Sequence, residues 1–98
     1  MIIVTGSILA STDNLEEILA LSLEQVRRSR TEPGCLAHAV HRDAENPLRL
    51  VFVEQWTDRA ALAAHFAVPE SQAFAKAVRA LAAEPPTLNV YEAEPVQL

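Results

Sequence analysis

Glycine is scarce in this chain. Gly6 and Gly34 are the only two in 98 residues. Neither a P-loop nor a GxGxxG dinucleotide turn can be written with two glycines so far apart, which removes the usual nucleotide and Rossmann-type cofactor sites. Cysteine is scarcer still. Cys35 stands alone, so an intrachain disulfide, a CxxC redox pair and a cysteine-rich zinc site are all excluded. Aromatic residues are few: Phe52, Trp56, Phe66, Phe74 and Tyr91. Basic charge is also short, with 8 Lys and Arg against 13 Asp and Glu, a net charge of −5. That balance argues against nucleic acid and against an anionic membrane surface as partners, since both select a basic face. The one basic cluster, Arg27, Arg28 and Arg30, closes a helix, where cations suit the negative end of the dipole. No apolar run approaches the 18 residues of a membrane span, and Met1 to Thr5 lacks the basic start of a signal peptide. The expected location is the cytoplasm.

What remains is a globular composition, half apolar, with Ala, Leu and Val carrying the core. A chain of this length is one domain, residues 1–98, and buries roughly 60–65% of its unfolded surface. Ile2 to Leu9 is rich in β-branched residues and reads as a strand. Asp13 and Glu16 have capping-box spacing ahead of a helical stripe formed by Leu15, Ile18, Leu19, Ser22, Leu23 and Val26. This helix should stop near Arg30, before Glu32-Pro33-Gly34. Cys35 to Arg42 and Leu48 to Trp56 are strands joined by a short polar connection, so they should pair as an antiparallel hairpin. Thr57 and Asp58 are N-cap candidates for a second helix that Pro69 breaks or kinks and Pro85-Pro86 ends. Leu88 to Tyr91 is a fourth strand.

The order β-α-β-β-α-β is the α+β, ferredoxin-like pattern, an antiparallel sheet with helices on one face. Alternation along the third strand puts Leu48, Leu50, Phe52, Glu54 and Trp56 on one side, and Val51 and Val53 on the other. Both sides are apolar. Helices cover only one, so a second copy is expected on the other, giving a homodimer with sheets face to face. A monomer would expose an apolar patch expected to include Phe52 and Trp56.

Several local motifs resemble one known family. Glu32-Pro33-Gly34-Cys35-Leu36 looks like its "EPGCL" lead into the second strand, Glu54-Gln55-Trp56 like its "E-x-W" strand end, and Leu62 to Phe66 followed by Pro69 like its "L-x-x-H … P" helix. Phe74 and Tyr91-Glu92 fit as well. Together they are similar to the antibiotic biosynthesis monooxygenase domain family, dimeric α/β barrels that include small quinol monooxygenases. The resemblance covers nearly the whole chain. It implies oxidation of a quinol or phenolic compound by O₂ with no metal or flavin, because an electron-rich phenolate can itself reduce O₂. The protein would bind a flat ring, remove the phenolic proton and stabilise the anion in a dry pocket. Two departures narrow the choice. Phe52 stands where the best-known monooxygenases of the family carry an Asn, four residues before the strand-end Trp. The helix His of the heme-degrading members has no counterpart at Phe74 to Ala77, which disfavours heme degradation.

Among the candidate residues, His65 suits a general base, because imidazole titrates near neutrality. Trp56 is a flat wall or a core ring. Glu54, between rings, is a possible acid or base, or half of a salt bridge across the dimer. Phe52, Phe66, His38, His41 and Tyr91 complete the set as substrate contacts. His38 and His41 lie three apart on a strand and should point to opposite faces, so they cannot share a metal without a bulge. A three-ligand site would need His65 to meet one of them, and no metal is expected. Cys35 reads as a small buried residue. Two other functions suit the same scaffold. One is an isomerase or tautomerase of a small oxygenated metabolite, with His65 and Glu54 as proton shuttles. The other is a non-catalytic stress-response binding module, whose pocket Phe52 and Trp56 would fill.

Overall fold

The computed structural model describes residues 1–98. Its elements run β1 (Ile2–Leu9), α1 (Leu15–Ser29), β2 (Cys35–Arg42), β3 (Arg49–Trp56), α2 (Arg59–Ala67), α3 (Pro69–Leu81) and β4 (Thr87–Glu92). The strands form one sheet in the order β2-β3-β1-β4, every neighbour antiparallel. This is the ferredoxin-like α+β arrangement, with the second helical region divided in two. Pro69 causes the division. It cannot continue α2, whose interior would need its missing N–H, but it suits the first turn of α3.

Alternation decides what each sheet face carries. Ile2, Val4 and Ile8 of β1 and Leu50, Phe52, Glu54 and Trp56 of β3 are buried beneath the helices. Ile8, Leu50 and Phe52 pack with Ile18 and Val26 of α1 and Val78 of α3. A second cluster joins Ile2, Val4 and Trp56 to Leu62 of α2. Burying a side chain of this size stabilises the fold by about 1.5–3 kcal/mol. Phe52 and Trp56 therefore lie on the covered face, contrary to the expectation that a monomer would expose them. The open face carries Ile3, Val51 and Val53 instead.

The N-terminus of α1 also departs from expectation. No capping box forms between Asp13 and Glu16. The N-cap is Asn14, whose side chain accepts from the Ser11 N–H at 2.9 Å and donates to the Leu81 carbonyl at 2.7 Å, tying the start of α1 to the end of α3. Asp58 does cap α2, accepting from the Ala61 N–H at 2.8 Å. No helix is long and apolar enough to cross a membrane.

Candidate active site

Strand β2 carries an irregularity between Cys35 and Ala37 that fixes the site. Cys35 pairs with Trp56, Ala37 with Gln55 and His38 with Glu54. The extra residue in β2 breaks the two-residue period, so Cys35 and His38 both turn to the helix side although they are three apart. His41, paired with Val51, falls on the open face. His38 thus sits beside Glu54 in the register, on the same face as Phe52 and Trp56.

Glu54 is the centre of this group. Its Oε1 accepts from the Trp56 indole N–H at 3.0 Å, lies 3.2 Å from His38 Nε2 and is 4.0 Å from His65 Nε2. All four residues are buried. Burial pushes the Glu54 carboxyl up, but the contacts with His38, Trp56 and His65 outweigh it and hold the group below its ordinary value as a carboxylate. The His38 ring meets Phe52, Trp56 and His65 edge-on and has no hydrogen-bond partner at either nitrogen. Its Nε2 is close enough to Glu54 for an ion pair but lacks the alignment of a hydrogen bond.

His65 arrives from α2, three residues after Leu62. Its Nδ1 is 2.8 Å from Glu32 Oε1. A carboxylate only accepts, so Nδ1 donates and a neutral ring presents its lone pair at Nε2, towards Glu54. The indole of Trp56 lies under this imidazole, with centroids 4.5 Å apart. Glu32 comes from the turn before β2. Gly34 holds that turn with φ of 82°, the left-handed region that favours glycine.

A cavity of about 360 Å³ opens between the sheet and α3, within the range of small-molecule sites. His38, Glu54 and Phe52 line it from the sheet, and Phe74 and Val78 from α3. Gly6 also lines it, opposite Phe52 in the register; a Cβ there would come within 2.9 Å of the Thr87 carbonyl oxygen. A wider polar depression near Asp58, Arg59 and Glu92 contains none of the candidate residues.

The structure therefore brings together five of the residues singled out in the sequence: His38, Phe52, Glu54, Trp56 and His65. His38, Phe52 and Glu54 reach the cavity, whereas Trp56 and His65 stand behind Glu54, the Trp56 indole N–H holding its carboxylate. Three others lie elsewhere. Phe66 is 44% exposed, Tyr91 is 52% exposed, and His41 is exposed on the open face. Glu54 finds its partners within its own chain. Sequence reasoning missed Glu32 as a partner of His65, because a contact between residues 33 apart leaves no local spacing. Gly6 was readable only as a scarce residue. Burial, helped by Glu32 and Glu54, pushes the Cys35 thiol up, which suits a packing residue better than a nucleophile.

Comparison with known proteins agrees with this architecture. The family model described as antibiotic biosynthesis monooxygenase matches residues 1–77. An uncharacterized protein of Synechocystis sp. is 35% identical over 91 residues; the match takes in 93% of this chain but spans only 62% of that relative's length. A crystal structure of an antibiotic biosynthesis monooxygenase superposes with a TM-score of 0.88 at 30% identity, covering 97% of this chain and 100% of that one. A crystal structure from Deinococcus radiodurans gives a TM-score of 0.94 at 26% identity, covering 100% and 98%.

Proposed function

The chain belongs to the antibiotic biosynthesis monooxygenase family, and on that premise we propose that it oxygenates a small quinol or related phenolic compound with O₂. The observation that carries the reading is the cavity itself. Its polar lining includes a buried imidazole beside a buried carboxylate, and Phe52 and Phe74 offer flat apolar surface for a ring. An open space of this size also favours ligand turnover over a binding module packed shut by Phe52 and Trp56.

In this mechanism the substrate enters with its phenolic hydroxyl at His38. The imidazole takes the proton, and Glu54 stabilises the imidazolium from 3.2 Å. The Trp56 indole N–H holds the Glu54 carboxylate in place, so the negative charge is fixed before the proton moves. The phenolate gives up electrons to O₂. One oxygen atom bonds to a ring carbon, and the other leaves as water with the two hydrogens that the substrate loses. The apolar walls keep bulk water from the radical pair. As in its family, a homodimer packed through the open sheet faces is the proposed working unit.

Oxygen uptake with a panel of hydroquinones and naphthols, menadiol-like compounds among them, tests this reading. His38→Gln and Glu54→Gln should each slow uptake by about 100-fold or more, the usual contribution of a positioned base. Folded protein that consumes no O₂ with any of them would remove the proposal. Equal substrate turnover under argon would assign the site to the isomerase reading instead.

A further inference from the structure

The same three side chains, His38, Glu54 and His65, have the makings of a metal centre. The geometry points to a site for one divalent first-row transition ion, bound by His38 Nε2, Glu54 Oε1 and His65 Nε2, with an open coordination position towards the cavity.

Ligand atoms about 2.0–2.2 Å from a tetrahedral ion lie roughly 3.4 Å from one another. Here Glu54 Oε1 is 3.2 Å from the Nε2 of His38 and 4.0 Å from that of His65, and one donor atom from each of the three residues lies within 4.8 Å of the others. Small side-chain rotations bring such a set to bonding distance. A second observation is independent of this clustering. His38 is 3% exposed, yet neither ring nitrogen has a hydrogen-bond partner. A buried polar group without a hydrogen bond is costly, and an ion beside the Glu54 oxygen 3.2 Å away would give Nε2 a directed bond. The surroundings of the other two ligands point the same way. Glu32 accepts a hydrogen bond from the His65 Nδ1–H, which fixes the tautomer and aims Nε2 at the shared point. The Trp56 indole N–H holds the Glu54 oxygen. Carboxylate-supported histidines and hydrogen-bonded carboxylates are how proteins orient metal ligands. Two imidazoles and one carboxylate suit Zn²⁺ or Fe²⁺, whereas Mg²⁺ and Ca²⁺ prefer all-oxygen sets. The cavity beside His38 and Glu54 leaves room for a water or ligand oxygen as a further donor.

This inference stands without the oxygenation reading. An ion held between His38 and Glu54 would take the carboxylate away from the imidazolium it stabilises, so Zn²⁺ should suppress quinol-dependent O₂ uptake wherever uptake occurs. Binding itself is read on the resting full-length protein. EDTA-treated protein is titrated with Zn²⁺ by calorimetry and with Co²⁺ by visible absorption. The expected result is one ion per chain and a Co²⁺ spectrum of four or five coordination with nitrogen and oxygen donors. His38→Gln or His65→Gln should abolish binding. Glu32→Gln leaves every ligand in place and should weaken it 10–100-fold. Mg²⁺ should not compete. Absence of a one-to-one Zn²⁺ complex overturns the proposal, as does a six-coordinate Co²⁺ spectrum or a sulfur charge-transfer band lost in Cys35→Ser. Because His65 is buried, its variant is first checked for folding by circular dichroism; if it fails, the wild-type Co²⁺ spectrum and Glu32→Gln decide. Unchanged affinity in Glu32→Gln would count against the site.

Discussion

Glu54 shows how one buried side chain is kept charged. Desolvation alone would push its carboxyl up, and three neighbours reverse that. A lowered carboxyl pKa stabilises the fold when pH is above the group's ordinary value of 4.5 and stops doing so as pH falls through the lowered value. Glu54→Gln should therefore cost about 1–3 kcal/mol near pH 7, because the charge is lost while an amide oxygen remains for the indole N–H. The difference from wild type should shrink below pH 4.5. Denaturant melts of EDTA-treated protein across that range check both statements; a difference that stays constant to pH 3 would refute the second. That Glu54, Phe52 and Trp56 share a face was legible, because β3 alternates without interruption. The partners of Glu54 were not, because they come from β2 and α2, and strand alternation says nothing about where another element lands.

At the scale of elements, sequence boundaries and structure agree where the signal is local. β2 spans the residues expected, β3 begins one later, and Pro69 breaks the helix as its chemistry requires. Agreement fails where a tertiary contact competes. Asn14 is recruited by the Leu81 carbonyl, so Asp13 and Glu16 have no capping box to form. Phe66 is among the expected substrate contacts. Yet α2 ends at Ala67, and it is His65 that turns inward. The irregularity in β2 is the most consequential miss. Strict alternation cannot say which histidine faces the helices; one extra residue settles it. The turn feeding that strand is correspondingly intolerant. At Gly34 a Cβ would come within 2.5 Å of the Ala61 Cβ and 2.7 Å of Thr57 Oγ1, on a backbone already at positive φ. Gly34→Ala should destabilise the protein by about 2 kcal/mol or more, measured by denaturant unfolding. A neutral result would mean that the turn relaxes freely.

For the whole molecule, the asymmetry between sheet faces matters most. Helices cover one face, and the other presents Ile3, Val51 and Val53, with Val53 37% exposed at the middle of β3. Two strands contribute to this patch, which suits pairing with a second copy better than lasting contact with water. In the proposed homodimer, Val53→Glu should reduce the mass measured by light scattering from that of two chains to that of one. An unchanged mass would rule out the open face as the contact.

Strand β4 has a different consequence. Every residue in it is exposed, β1 is its only strand neighbour, and the Arg59–Glu92 ion pair ties its end to α2. Leu88 and Thr87 nevertheless line the chamber that holds His38 and Glu54. A strand secured along one edge opens at low free-energy cost, well before the rest of the sheet. Occupancy time in the chamber then becomes a property of the fraying of this strand. A guest would leave on the timescale of local opening, and amide exchange at residues 87–92 is the clock that reads it.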